Sequence, residues 1–294
     1  MKTIHIITLL LSITISTTYA QQPTTPTERI LYGVCTQDSL LQAPYSSWYS
    51  SNYSEYIPNA TVTKQLQQLN LKGVTATLYF GSWCGDSKRE VPRMLKVLIT
   101  IGIPNTKLIA LGNSDSLTKQ SPTGEQIGQG IFKVPVCILY KAGKEVGRIM
   151  EYPAVSLEHD MLTILSGQPY TPNYASFATL NAWLLSGILA DDNVTAAGLA
   201  NIIKQKVHSP YELLSLGNLL YKQGYTKPSL KVHKINYNLY PADAAVATSL
   251  GNAYIKAGEL PKAVTLLEQA LIFNKDEAQV LPILKMLYQA KGIK

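Results

Sequence analysis

Phe80-Gly81-Ser82-Trp83-Cys84-Gly85-Asp86-Ser87-Lys88-Arg89-Glu90-Val91-Pro92 is the stretch that decides the fold. Thr75 to Phe80, which leads into it, is apolar and β-branched and reads as a buried strand. The residues after Gly85 read as a helix, with a proline eight positions beyond Cys84. A cysteine at the first turn of a helix faces the positive end of the macrodipole and unpaired backbone N–H groups, both of which favour a thiolate. Lys88 and Arg89 add positive charge nearby, and Asp86 and Glu90 oppose it.

Working outward, Lys107 to Leu111 is predicted as a second strand. Val136 to Tyr140 and Glu145 to Met150 are predicted as two more, joined by a turn at Lys141-Ala142-Gly143-Lys144. Leu157 to Ser166 is predicted as a helix ending before Gly167. The second landmark is Gly130-Ile131-Phe132-Lys133-Val134-Pro135, directly ahead of the hairpin. Together, strand–Trp-Cys-Gly–helix and Val-Pro–hairpin resemble the thioredoxin family over about residues 65 to 167. Arg89-Glu90-Val91-Pro92 is similar to its secreted, TlpA-related branch. The resemblance implies a thioredoxin-like α/β domain in which Cys84 attacks sulfur and Pro135 lies cis against it. It also implies that Trp83 shields one side of the thiol and that the Val134 backbone pairs with an extended substrate.

The departures carry equal weight. Ser87 stands where the family has its second cysteine, and Leu78 where many members carry a buried aspartate. Cys84 can then form a mixed disulfide but has no neighbouring thiol to resolve it, and Ser87 is left to hydrogen-bond the thiolate. Cys137, two residues past Pro135, is expected in the core. Cys35, on an extension of unknown path, is a candidate resolving thiol, and an external thiol is the alternative.

Met1 to Ala20 has an early lysine, an apolar run and a small-residue close, the layout of a secretory signal, so a periplasmic or secreted location is expected. Residues 21–64 are read as a Thr/Pro linker and an aromatic-rich extension. Within it, Tyr45, Trp48, Tyr49, Tyr53 and Tyr56 have helical spacing and are expected to pack one helix face on the main domain, an aromatic ligand platform being the other reading.

Beyond residue 168 every periodic segment is helical: a connector over 169–209, then repeats over 210–294. Ser215-Leu216-Gly217-Asn218 recurs as Ser249-Leu250-Gly251-Asn252, Lys222 as Lys256 and Gly224 as Gly258, an offset of 34. This period resembles the tetratricopeptide repeat, and implies an all-α repeat domain with a concave surface for a peptide or protein partner. Ser229 and Asn236 occupy places where that family favours alanine. Asn218, Lys222, Asn252 and Lys256 are the candidate partner-binding residues, four apart in pairs on one helix face.

Composition limits the alternatives. With 294 residues, 46% apolar and 15% charged, the chain is neither disordered nor a disulfide miniprotein, since it has three cysteines. Its charge of +7 has no basic run, so no nucleic-acid partner is expected, and no run after the first twenty residues approaches eighteen apolar residues, so no stable membrane insertion is expected. Scattered histidines give no metal motif, and no cofactor is expected. Three functional readings follow: an exported thiol protein forming mixed disulfides with exported clients, a redox-inactive binding scaffold, or a single-cysteine disulfide isomerase.

Overall fold

A computed structural model describes residues 29–114 and 116–293. The secretory-signal reading of Met1 to Ala20 lies outside them. The elements run β1 (Gly33–Cys35), α1 (Gln37–Leu40), α2 (Ser46–Glu55), α3 (Ala60–Gln67), β2 (Val74–Phe80), α4 (Gly85–Thr100), β3 (Thr106–Ala110), β4 (Val136–Lys141), β5 (Lys144–Met150) and α5 (Leu157–Leu165). Seven further helices complete the chain: α6 (Ser176–Leu185), α7 (Ala196–Ile203), α8 (Pro210–Lys222), α9 (Thr226–Leu239), α10 (Ala244–Lys256), α11 (Leu260–Phe273) and α12 (Glu277–Lys291). No helix among the described residues is long and apolar enough to cross a membrane.

The strands form one mixed sheet in the order β1-β3-β2-β4-β5, with β2 and β3 parallel and the other pairs antiparallel. The predicted strands and hairpin are all present. Ala142 and Gly143 both take positive φ, as a two-residue turn between β4 and β5 requires. Strand β1 has no sequence signal of its own. Three residues become a strand because Gly33, Val34 and Cys35 pair with Ala110, Ile109 and Leu108 of β3.

Side chains alternate across this sheet and feed two cores. Ala76, Leu78 and Phe80 of β2, with Cys137 and Leu139 of β4, face α2 to α5. The aromatic stripe belongs here: Tyr45 and Tyr49 are buried, and Trp48, Tyr53 and Tyr56 are half-buried against the same core. The helix-packing role expected for them is the one they have, and Lys96 and Arg93 of α4 lie over the Tyr53 and Tyr56 rings.

The opposite face is covered by the C-terminal half of the chain. Ile109, Leu111, Val136 and Ile138 share a core with Phe177, Leu180 and Trp183 of α6 and with Leu213, Leu216 and Leu220 of α8. Residues 169–209 are therefore more than the connector expected of them, because α6 closes the sheet. At about 1.5–3 kcal/mol for each large apolar side chain buried, this shared core is a major part of the stability.

Helices α8 and α10 begin and end 34 residues apart, and so do α9 and α11. Gly217 lies against the His233 ring and Gly251 against Leu267, again at that offset. The polar substitutions in the first unit are accommodated by hydrogen bonds. Ser229 Oγ donates to the Gly217 carbonyl at 2.7 Å, and Asn236 Nδ2 to the Pro210 carbonyl at 2.9 Å.

Candidate functional site

The site forms where β2 ends and α4 begins. Cys84 is the N-cap residue of α4, in extended conformation, with its N–H donating to the Gly81 carbonyl at 2.9 Å. Its half-buried thiol donates to the carbonyl oxygen of Val134 at 3.4 Å. The Val134–Pro135 bond is cis, and Pro135 leads straight into β4, so the thiol leans toward the β4 side of the sheet.

Trp83 is anchored at both its indole nitrogen and its ring face. Its indole Nε1–H donates to the Leu111 carbonyl at 2.8 Å, and its ring lies over Gly81, where an added Cβ would fall 2.5 Å from the ring. Gly81 is thus required by the close approach of Trp83. Ser87 is fully buried and its Oγ accepts the Gly81 N–H at 3.2 Å. The hydroxyl of Ser87 closes the loop beneath Cys84. Asp86 and Glu90 are both paired with Arg89, at 3.0 and 2.6 Å, so the carboxylates that oppose the local positive charge are tied to a cation.

Cys35 is not brought to Cys84. It sits level with Leu108, on the edge strand two positions from β2, or about 10 Å across the sheet at ordinary strand spacing. A disulfide needs Cα atoms within about 7 Å. Cys35 packs into the core on the α4 face, whereas Cys84 packs against the core on the other. The extension does reach the site, but through Leu31, whose N–H donates to Ser82 Oγ at 2.9 Å. Burial pushes the Cys35 thiol up to about 12, with a backbone hydrogen bond from Ala110 opposing, and burial does the same to Cys137, which is fully enclosed. The resolving role expected of Cys35 is corrected on two grounds: the wrong strand and the wrong face of the sheet.

The four candidate partner-binding residues divide. Asn218, Asn252 and Lys256 line one shallow cleft with Tyr221 and His233, and the Lys256 ammonium lies 4.0 Å from the centre of the Tyr221 ring. With a volume of about 10 Å³ the cleft is no ligand cavity. Lys222, at the end of α8, is within electrostatic reach of Lys256 and sits beside Gln223, whose Nε2 donates to the Thr118 carbonyl at 3.1 Å. The helical region thereby touches the loop that follows β3.

That contact introduces residues no motif had marked. Lys119 is half-buried in the loop, and its N–H donates to the Gly112 carbonyl at 2.9 Å. Burial lowers its ammonium pKa most, Lys133 lowers it further, Glu151 and Cys84 oppose, and Lys222 adds to the lowering. Lys133 Nζ lies 3.4 Å from Glu151 and over the ring of Tyr174, whose hydroxyl donates to Glu151. Of the four non-glycine residues with positive φ among those described, Lys119, Glu151 and Tyr174 belong to this group. Such backbone costs about 1–3 kcal/mol each and clusters at functional sites. A cleft of about 520 Å³ opens beside Lys133, between Tyr152, Tyr174 and Tyr211. Lys133 had a signal in its place just before Val134-Pro135. Lys119 had none.

Chemically, the arrangement offers a half-buried thiol at a helix N-terminus, held against the Val134 carbonyl. Among the described residues no three His, Cys, Asp or Glu side chains gather as a metal site would require. No family model matches the chain, and no curated protein matches it.

Proposed function

We propose that this chain is an exported thiol protein that forms mixed disulfides with exported client proteins through Cys84, on a thioredoxin-like domain followed by tetratricopeptide-like repeats. The observation that carries the reading is the 3.4 Å contact between Cys84 Sγ and the Val134 carbonyl, at the start of α4 and beside Pro135. The sheet order and the 34-residue offset of the paired helices support the two family resemblances. In the reaction, the Cys84 thiolate attacks one sulfur of a client disulfide. The client S–S bond breaks, the Cys84–client bond forms, and the departing client thiolate takes up a proton. With Ser87 engaged by Gly81 and Cys35 remote, a low-molecular-weight thiol resolves the adduct: it attacks the client sulfur and releases Cys84 as thiolate.

The test is covalent trapping. Mature protein incubated with disulfide-bonded client extracts is expected to give reducible adducts that vanish in Cys84→Ser and persist in Cys35→Ser. Adducts that survive Cys84→Ser, or none from the intact protein, overturn the reading.

A further inference from the structure

Helices α7, α9, α10 and α11 together line a cleft of about 480 Å³ that takes no part in the Cys84 site. Leu250 and Tyr254 line it from α10, on a different face of that helix from Ser249, Asn252 and Lys256, which belong to the shallow cleft described above. Ala197 of α7 and Leu266 of α11 extend the apolar wall. Two cations converge on one ring inside it. Lys234 Nζ of α9 lies 5.3 Å from the centre of the Tyr254 ring, and Lys262 Nζ of α11 lies 5.4 Å from it.

The remaining polar groups of the lining are engaged within the protein. Tyr237 Oη donates to Gln269 Oε1 at 2.7 Å, Asn238 Nδ2 to the Lys234 carbonyl at 2.7 Å, and Thr265 Oγ1 to the Pro261 carbonyl at 3.2 Å. Lys262 is shared with Glu259. Lys234 is set differently: it is half-buried and its ammonium meets an aromatic ring. Burial lowers its pKa most, Glu259 opposes, Lys262 and Lys231 lower it further, and Asp192 opposes. Asp192 is itself paired with Lys227 at 3.0 Å. Apolar walls around a half-buried cation select an apolar body that carries an anionic group. The walls bury the body, and the anion returns to Lys234 the stabilisation that burial removes. The volume falls within the roughly 300–1,000 Å³ of small-molecule sites.

We infer that this cleft binds a small amphipathic carboxylic acid, with its carboxylate on Lys234 and its apolar body against Tyr254, Leu250 and Leu266. Lys262 serves as a second cation on the rim. The inference goes beyond the mixed-disulfide reading and does not depend on it, since no thiol takes part. It gives the helical region a ligand of its own, on a face other than the one where Asn218, Asn252 and Lys256 lie.

The experiment titrates the protein by calorimetry with phenylbutyrate, with its uncharged amide and with acetate. The acid is expected to bind about 10-fold more tightly than the amide, because a charge-assisted contact to Lys234 is lost in the amide. Acetate, which has no apolar body, is expected to show no measurable binding. Lys234→Gln is expected to remove the preference for the acid while leaving the affinity for the amide unchanged. Ala197→Trp, at an exposed position of the lining, is expected to weaken acid and amide alike by about 10-fold, and the exposed Lys285→Gln on α12 to change neither. Because Ala197 is exposed, its variant keeps the test open where Lys234→Gln fails to fold. Equal affinity for acid and amide overturns the inference, and so does an acid affinity that neither variant changes. A capped Glu-Phe-Glu peptide that binds more tightly than phenylbutyrate assigns the cleft to a protein partner and overturns it as well. None of these outcomes alters the trapping test of Cys84.

Discussion

Ser87 Oγ accepts the N–H of Gly81 at 3.2 Å, so the side chain in the place of a resolving thiol closes the loop under Cys84. Ser87 is fully buried, and Ser87→Ala leaves the Gly81 N–H without its partner. The expected cost is about 1–3 kcal/mol, read as a lower denaturation midpoint at unchanged m-value. Ser87→Cys tests the chemistry of the same position. Its sulfur sits three residues beyond Cys84 on the first turn of α4, and oxidation is expected to remove two thiols from the titratable count. Two thiols that stay alkylatable after oxidation would show that the loop cannot bring the pair to bonding geometry.

The three cysteines are expected to separate cleanly in an alkylation assay. Burial holds Cys35 and Cys137 up at about 12, against a usual value of 9.0, so neither is a thiolate near neutral pH. One thiol per chain, Cys84, reacts in the native protein, and all three react after unfolding. The sign for stability follows. The unfolded chain ionises these two thiols above pH 9 while the folded chain keeps them protonated, so stability is lost progressively from about pH 9 toward 12. A Cys137→Ala variant is expected to flatten that loss.

His233 gives a pH dependence at the other end. It is buried between α8 and α9, and desolvation, helped by Lys256, lowers it from 6.5 to about 4. The unfolded chain takes the proton first, so its contribution is fully present above pH 6.5 and declines as pH falls toward 4. At about 1.4 kcal/mol per unit the loss is at most about 3.5 kcal/mol. One repeat later the same place holds Leu267 against Gly251. His233→Leu is accordingly expected to stabilise the protein at pH 5 more than at pH 7, by thermal unfolding at both values. An equal effect at the two pH values would mean that His233 does not titrate in this range.

How far these features were legible depends on where their causes lie. Strands β2, β4 and β5 carry their own apolar and β-branched runs, and the Ala142-Gly143 turn its own signal, so local sequence sufficed. The helical offset was legible for the same reason: Gly217 and Gly251 must be small because a neighbouring ring or branched chain lies under 3.0 Å from where a Cβ would be. Strand β1 was illegible, since Gly33-Val34-Cys35 is a strand only by its pairing with β3. That pairing also decides the fate of Cys35, which is why the resolving role assigned to it failed. Lys119 escaped notice because its approach to Cys84 depends on the path of a loop with no period and on a contact from Gln223, 105 residues away. The 169–209 segment read only as a helical connector, and nothing in its pattern names the sheet as what buries Phe177, Leu180 and Trp183.

That last relationship sets the most demanding test of the architecture. A division at residue 168 treats the sheet domain as complete, yet Ile109, Leu111, Val136 and Ile138 are covered by α6 and α8. A chain of residues 29–168 would present those side chains to water as one contiguous apolar patch, the kind that drives association. It is expected to bind a hydrophobic dye strongly, to self-associate and to lack a cooperative thermal transition. A chain of residues 29–242 keeps α6 to α9 over the sheet and loses the separate core formed by Ala247, Ala263, Leu267, Ile283 and Leu287. It is expected to remain monomeric, to unfold cooperatively and to keep one reactive thiol. A cooperative, monomeric 29–168 chain would show that the sheet does not need its helical cover.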